Sequence, residues 1–482
     1  MEVIGPISHR VLTVSSNDQN YDQSSKITTL FLEFPYISGI STNPNFCGID
    51  SNNDMHSRLT RLMENQSRLF TPVLVAGSLI VLVGFAIRAS FGVFQIPIQD
   101  EFGWPRAEFS LAIAIQNLAW GFGAPFFGAF AEKLGDRKAI ILGAFLYALG
   151  LVLTTGATSP LAVQFYEILV GFGIAGTGFG VILAVVGRAS AEEHRAMSLA
   201  IATASGSAGQ IVGPAVAVYL LDRMAWQSVF LIFAVSILTV LLLLPFMRAP
   251  ERAAKAEIEE SLGEILRIAF KDPSYMMIFV GFFSCGYQLA FITAHFPALI
   301  TEMSEPIDPT SWCGDLGIET TAALGGLAIS VIGAANIAGT LLAGWAGKRF
   351  GKKWLLSGIY AGRSVAAAWF ILTPITANTV MIFSAAMGFL WLATVPLTSG
   401  LVAHIYGIKY MATLYGIVFF SHQLGSFVGV YLGGVLYDSY GSYTTVWWIG
   451  IAVGVFSALI HLPVKEEFRL SNRDAPAHAP TN

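Results

Sequence analysis

Between residues 72 and 466 the chain repeats one feature twelve times: an apolar run long enough to cross a bilayer. A spanning helix needs about 20 such residues. Lipid offers a backbone no hydrogen-bond partner, so a run of that length must become a helix that satisfies its own amides. The runs are 72–98, 108–132, 138–157, 161–188, 196–221, 226–247, 274–301, 322–346, 354–374, 378–402, 411–437 and 443–463. Composition agrees: 54% of residues are hydrophobic, 12% are charged and the mean hydropathy is +0.64, where soluble domains carry about 25% charge. The first run starts some seventy residues in and lacks the short apolar core and small-residue cleavage site of a signal peptide. The expected fold class is an all-α integral membrane protein of twelve transmembrane helices.

Short-loop Lys and Arg set the orientation. With the N-terminus inside, Lys133, Arg137, Lys138, Arg188, Arg248, Lys348, Lys352 and Lys409 fall on the cytoplasmic side, and the external loops hold just Arg106 and Arg223. An odd number of spans would put one basic set outside, so both termini are expected in the cytoplasm, in a multi-pass plasma (inner) membrane protein. The net charge of −4 gives no ground for a nucleic-acid partner. Cys47, Cys285 and Cys313 fall in the tail, a span and an external loop. They share no redox compartment, and no disulfide is expected.

Residues 1–70 are polar and rich in Asn and Ser, which reads as a disordered cytoplasmic tail. Two starts are open, Met1 and Met63, the second leaving 1–62 untranslated. The charged tract 249–273 divides six spans (71–248) from six (274–466), and 467–482 forms a second cytoplasmic tail. The halves repeat: "GAFAEKLGDRKAIILG" (128–143) follows the second span and "GWAGKRFGKKWLLSG" (344–358) follows the eighth. Each has Gly, a charged pair four and five positions on, and Gly at seven. Such a repeat points to duplication of a six-helix unit.

Twelve spans, the six-plus-six division, the central cytoplasmic tract and the loop motif Gly128, Glu132, Lys133, Gly135, Arg137, Lys138 resemble the major facilitator superfamily over about residues 70–466. The resemblance implies two pseudo-symmetric six-helix bundles, with these residues as a conformational loop motif. Within the family, "FGVFQIPIQDEFGWPRAEFS" and "CGYQLAFITAHFPALI" resemble the bacterial branch related to monocarboxylate transporters and oxalate-formate exchangers.

"GFGIAGTGFG" (171–180) matches the G-x-G-x-x-G dinucleotide fingerprint. That fingerprint needs a strand before it and a βαβ unit around it. Here it sits inside the fourth span, where Gly173, Gly176 and Gly180 share a helix face and let backbones approach. No P-loop is present, no H-E-x-x-H, and no His and Cys cluster with ligand spacing. Neither ATP drive, a metal nor a cofactor is expected, and no nucleophile–base pair marks an enzyme.

Ionisable residues inside spans are functional suspects, because each costs roughly 2.5–3.5 kcal/mol at a helix centre. Arg88, mid-way along the first span, has the bidentate geometry that suits a carboxylate. The resemblance supports this, since monocarboxylate transporters place a basic residue in that helix. Glu167 in the fourth span stands where many family members carry arginine, and reads either as a proton-coupling carboxylate or as the counter-ion of Arg88. His422 in the eleventh span is a candidate for proton carriage or substrate contact. Asn117, Tyr287, Gln288, Asn336 and Gln423 interrupt apolar surroundings as candidate cavity lining, or as polar glue between helices. His295 reads as an interface or gate residue, and Arg363, in the outer ninth helix, as structural. The arginine that monocarboxylate transporters carry in the eighth helix is missing, with Asn336 and Thr340 in its place.

These residues point to a monomeric secondary transporter of a small organic anion, a monocarboxylate first, coupled to protons. A multidrug or amphipathic-metabolite exporter and a non-transporting membrane sensor are the competing readings.

Overall fold

The structure is a computed structural model that describes residues 69–248, 265–406 and 408–467. The expectations for the tails, Met63, Cys47 and most of the central tract, and for the side chains of Glu132 and Lys409, lie outside the described residues. The described residues belong to one compact unit, Arg61–Asn482.

Helices occupy all twelve expected positions. Eleven are long and apolar enough to cross a membrane: Pro72–Phe102, Asp136–Thr155, Pro160–Ala189, Met197–Leu221, Trp226–Phe246, Pro273–Glu302, Thr321–Ala346, Lys352–Leu372, Ala377–Tyr406, Thr413–Tyr440 and Thr444–His461. The second in chain order, Arg106–Leu134, is 29 residues long. It falls short in apolarity because Gln116 and Asn117 sit side by side at its middle.

Local chemistry sets the boundaries. Thr71, Ser159 and Asp272 each cap a helix that opens on proline, and Thr376 forms a capping box with Thr379. Gly135 alone joins the second and third spans, at φ 98° and ψ 145°, a region open in practice to glycine. The second copy of the repeat differs: the eighth helix ends at Ala346 and the ninth starts at Lys352, so the turn is longer and Gly351 has an ordinary φ of −57°.

Two apolar cores form, one almost wholly from the first half and one from the second. Glycine seams hold each half in the same way. Gly209 and Gly213 of the fifth span press on backbone carbonyls of the first, and Gly286 of the seventh presses on that of His422 in the eleventh. In the fourth span Gly171 lies against the second span, while Gly173 and Gly176 lie against the third at Tyr147 and Gly143. Gly180 departs from the expected shared face, because the helix breaks at Gly178 and its α-carbon fronts open space. The fingerprint is therefore a packing seam.

The halves meet chiefly where the second span packs on the eleventh and the fifth on the eighth. Away from the basic loops Gly92 abuts the Thr293 and Ala294 carbonyls, and Gly434 abuts Ser110.

Candidate functional site

Arg88 sits on the first span where it faces both the second span and the seventh. Its Nη2 donates to Asn117 Oδ1 at 3.1 Å, and Asn117 is itself steadied by donating to the Ile113 carbonyl at 2.8 Å. The Trp120 ring lies 4.9 Å from the guanidinium carbon, a cation–π contact one helical turn from Asn117. Arg88 Nε is enclosed and has no partner. The guanidinium borders a cavity of ≈ 10 Å³ lined also by Phe91, Gly92, Gln116, Asn117 and Thr293, room for about one water. Both halves of the chain line it.

Glu167 is buried on the fourth span, and its Oε2 accepts from Gln116 Nε2 at 2.6 Å. Gln116 and Asn117 thus send their side chains to different charges: one amide serves the carboxylate, the next serves the arginine. Among the described residues no ion pair joins Arg88 to Glu167; the described pairs are Arg106–Glu302 and Arg188–Asp136. The counter-ion reading of Glu167 therefore has no direct bridge here. Gln116 escaped the sequence reading, although the adjacent polar pair was its signal.

Opposite Arg88, on the eleventh span, His422 stacks on Phe419 (5.5 Å, 10°) and Phe419 meets Trp120 edge-on at 5.3 Å. His422 Nδ1 has no partner. Gln423 is fully buried against Gly121 of the second span, with neither its amide nitrogen nor its oxygen bonded. Such orphaned groups are rare in folded proteins and ask for a ligand, ion or water.

Other expected lining residues turn elsewhere. Tyr287 donates to the Val446 carbonyl at 3.2 Å and Gln288 to that of Gly450 at 3.0 Å, so both face the twelfth span inside the second half. Asn336 bonds Ser207, Thr340 and the Leu392 amide at 2.8–2.9 Å. It ties the fifth, eighth and tenth spans together and leaves no amide oxygen turned towards the cavity. Arg363 hydrogen-bonds the Leu390 and Trp391 carbonyls where the tenth span breaks, which is the expected structural role.

The loop motif braces the first half. Arg137 donates to the Met247 and Pro245 carbonyls at 3.0 and 3.3 Å, and Asp136 pairs with Arg188 at 2.5 Å. Lys133 and Lys138 are exposed.

Sequence reasoning missed Arg106 altogether, treating it as a loop cation. It is buried, and it knots the halves together at the face away from the basic loops. Asp438 caps the second span from the second half, accepting from the Arg106 and Ala107 amides at 3.0 and 2.7 Å. The guanidinium pairs with Glu302, donates to Tyr443 at 2.8 Å and lies 3.6 Å over the Tyr437 ring. His295 is buried beside this knot, bonded to the Val430 carbonyl at 2.8 Å and to Tyr443 at 3.2 Å. The one available signal was its rarity as a cation among external loops.

A family model described as Major Facilitator Superfamily matches residues 76–312 and 314–480. The uncharacterized MFS-type transporter YcxA of Bacillus subtilis (strain 168) is 25% identical over 391 residues, 78% of this chain and 90% of its own. Monocarboxylate transporter 12-B of Danio rerio is 23% identical over 80% of this chain and 85% of its own. Among solved structures, a D-xylose-proton symporter superposes with a TM-score of 0.63 at 14% identity, covering 83% of this chain and 99% of that one. Eleven apolar spans, two helical cores meeting at a central seam and a family match along most of its length identify the chain as a membrane transporter, not an enzyme, belonging to the Major Facilitator Superfamily.

Proposed function

We propose that this transporter carries a small organic anion, a monocarboxylate first, together with a proton, by alternating access of its halves (71–248 and 274–466) across the cell membrane, as a monomer with both termini cytoplasmic. One observation carries the reading: Arg88 is a guanidinium at the seam between the halves with no described carboxylate bonded to it and an unpartnered Nε. A cation without a counter-charge in that setting is costly. A substrate carboxylate supplies the charge, with Asn117 and Trp120 fixing the fork and the orphaned amide of Gln423 meeting it from the second half. The relatives named as monocarboxylate transporters support the same class.

Glu167 is the proton site in this reading. It is enclosed, held by an amide donor, and separated from Arg88 by the Gln116–Asn117 pair, so proton and anion occupy adjacent positions. With the basic loops cytoplasmic, the Arg106 knot closes the external face. Export or import follows from which gradient is larger.

The decisive experiment is uptake of labelled carboxylates into proteoliposomes under an imposed pH gradient. Saturable, gradient-driven uptake of one acid is expected. Indifference to every acid, with efflux of a cationic dye instead, would overturn the proposal in favour of amphipathic export.

A further inference from the structure

A second guanidinium lies buried in the second half, and the site described above does not use it. Arg363 is fully buried. Its Nε and Nη2 donate to the Leu390 carbonyl at 3.0 and 2.7 Å, and Nη2 reaches Trp391 O and Thr394 Oγ1. These bonds satisfy the helix end where the tenth span breaks, but they are neutral. Among the described residues no Asp or Glu forms an ion pair with it. Nη1 has no partner at all.

Its surroundings are also incomplete. The Tyr360 ring lies 5.4 Å from the guanidinium carbon, and its buried hydroxyl has no partner. Cys285 Sγ lies 3.2 Å from Thr394 Oγ1, with Arg363 and His422 close beside the thiol. His422 Nδ1 is unpartnered too. A buried positive charge, a buried hydroxyl and a ring nitrogen, each short of a partner and grouped on the seventh, ninth, tenth and eleventh spans, are what an anion would complete.

We propose that the second half holds its own anion site, in which a small monovalent anion binds Arg363 through Nη1, with the Tyr360 hydroxyl and the His422 ring as further donors. The same guanidinium holds the tenth-span break, so occupancy of the site stiffens that break. The site does not depend on Arg88 being the substrate contact.

The test uses the purified full-length chain with Cys285 as its single thiol (Cys47→Ser, Cys313→Ser). Sodium chloride and sodium acetate are compared with sodium gluconate at equal ionic strength, reading the rate of Cys285 alkylation by N-ethylmaleimide and the thermal unfolding midpoint. A small anion is expected to slow alkylation and raise the midpoint, and gluconate to do neither. Arg363→Gln removes a charge-assisted bond and should weaken the anion at least about tenfold. Protection by chloride alone identifies a halide site, and protection by acetate as well identifies a carboxylate subsite. Arg88→Gln should leave the protection in place even where it ends carboxylate transport, which separates this site from the other. If Arg363→Gln does not fold, Tyr360→Phe and His422→Gln carry the test, each weakening protection. Equal protection by gluconate, no protection by any anion, or full protection in both of these variants would overturn the proposal.

Discussion

Two neighbouring amides decide what the charged residues can do. Asn117 holds Arg88 and Gln116 holds Glu167, so no described bond joins the two charges directly. Arg88→Ala should lower carboxylate affinity about ten- to a hundredfold, since a hydrogen bond to a charged group is worth roughly 1.5–3 kcal/mol. Arg88→Lys should lose less, keeping the charge without the fork. Adding Glu167→Gln to Arg88→Ala should not restore binding; recovered affinity in that double variant would show that Arg88 merely balances Glu167. Alone, Glu167→Gln keeps an acceptor for Gln116 and removes the titratable charge. It should abolish pH-driven accumulation while substrate exchange continues, and accumulation at the normal rate would exclude Glu167 as the proton site.

At the scale of elements, the turn after the second span is a backbone problem. A side chain at Gly135 invites a crowding argument, yet nothing lies within 4 Å of where its β-carbon would stand. The cost lies in φ 98° and ψ 145°, of order 1–3 kcal/mol for a residue other than glycine. Gly135→Ala and Gly135→Leu should therefore lower the thermal midpoint by similar amounts and cut transport alike. Crowding would instead make leucine much the worse. The brace that follows, Arg137 on the sixth-span carbonyls and Asp136 on Arg188, depends on that turn holding its direction.

Across the whole molecule, the halves are held at one face by the Arg106 knot, where Asp438 caps the second span and Glu302, Tyr437 and Tyr443 enclose the guanidinium. Arg106 is buried while Glu302 lies at the solvent-facing side of the knot, so removing the carboxylate's charge weakens one charge-assisted bond, worth roughly 1.5–3 kcal/mol, in the closed arrangement. Glu302→Gln should raise external labelling of a cysteine placed at Thr293, in a background without other cysteines, by about tenfold. Unchanged labelling by a membrane-impermeant reagent would mean that the knot is not a gate.

The sequence by itself determined the spans, the basic face and the packing role of the glycines in the fourth span. These are local properties: about 20 apolar residues must form a helix in lipid, and a glycine face admits a neighbouring backbone wherever the chain runs. It also singled out Arg88 and Glu167, because a charge in an apolar run is conspicuous. What it did not determine is who meets whom. Tyr287, Gln288 and Asn336 look like Asn117 in sequence, yet helix rotation turns the first two into the second half and spends the third on bridging helices. Arg106 and Asp438 lie 332 positions apart, and no periodicity relates them. Only the tertiary structure decides such pairings, because the depth and rotation of each helix follow from packing against all its neighbours, and that packing is not encoded in any one span.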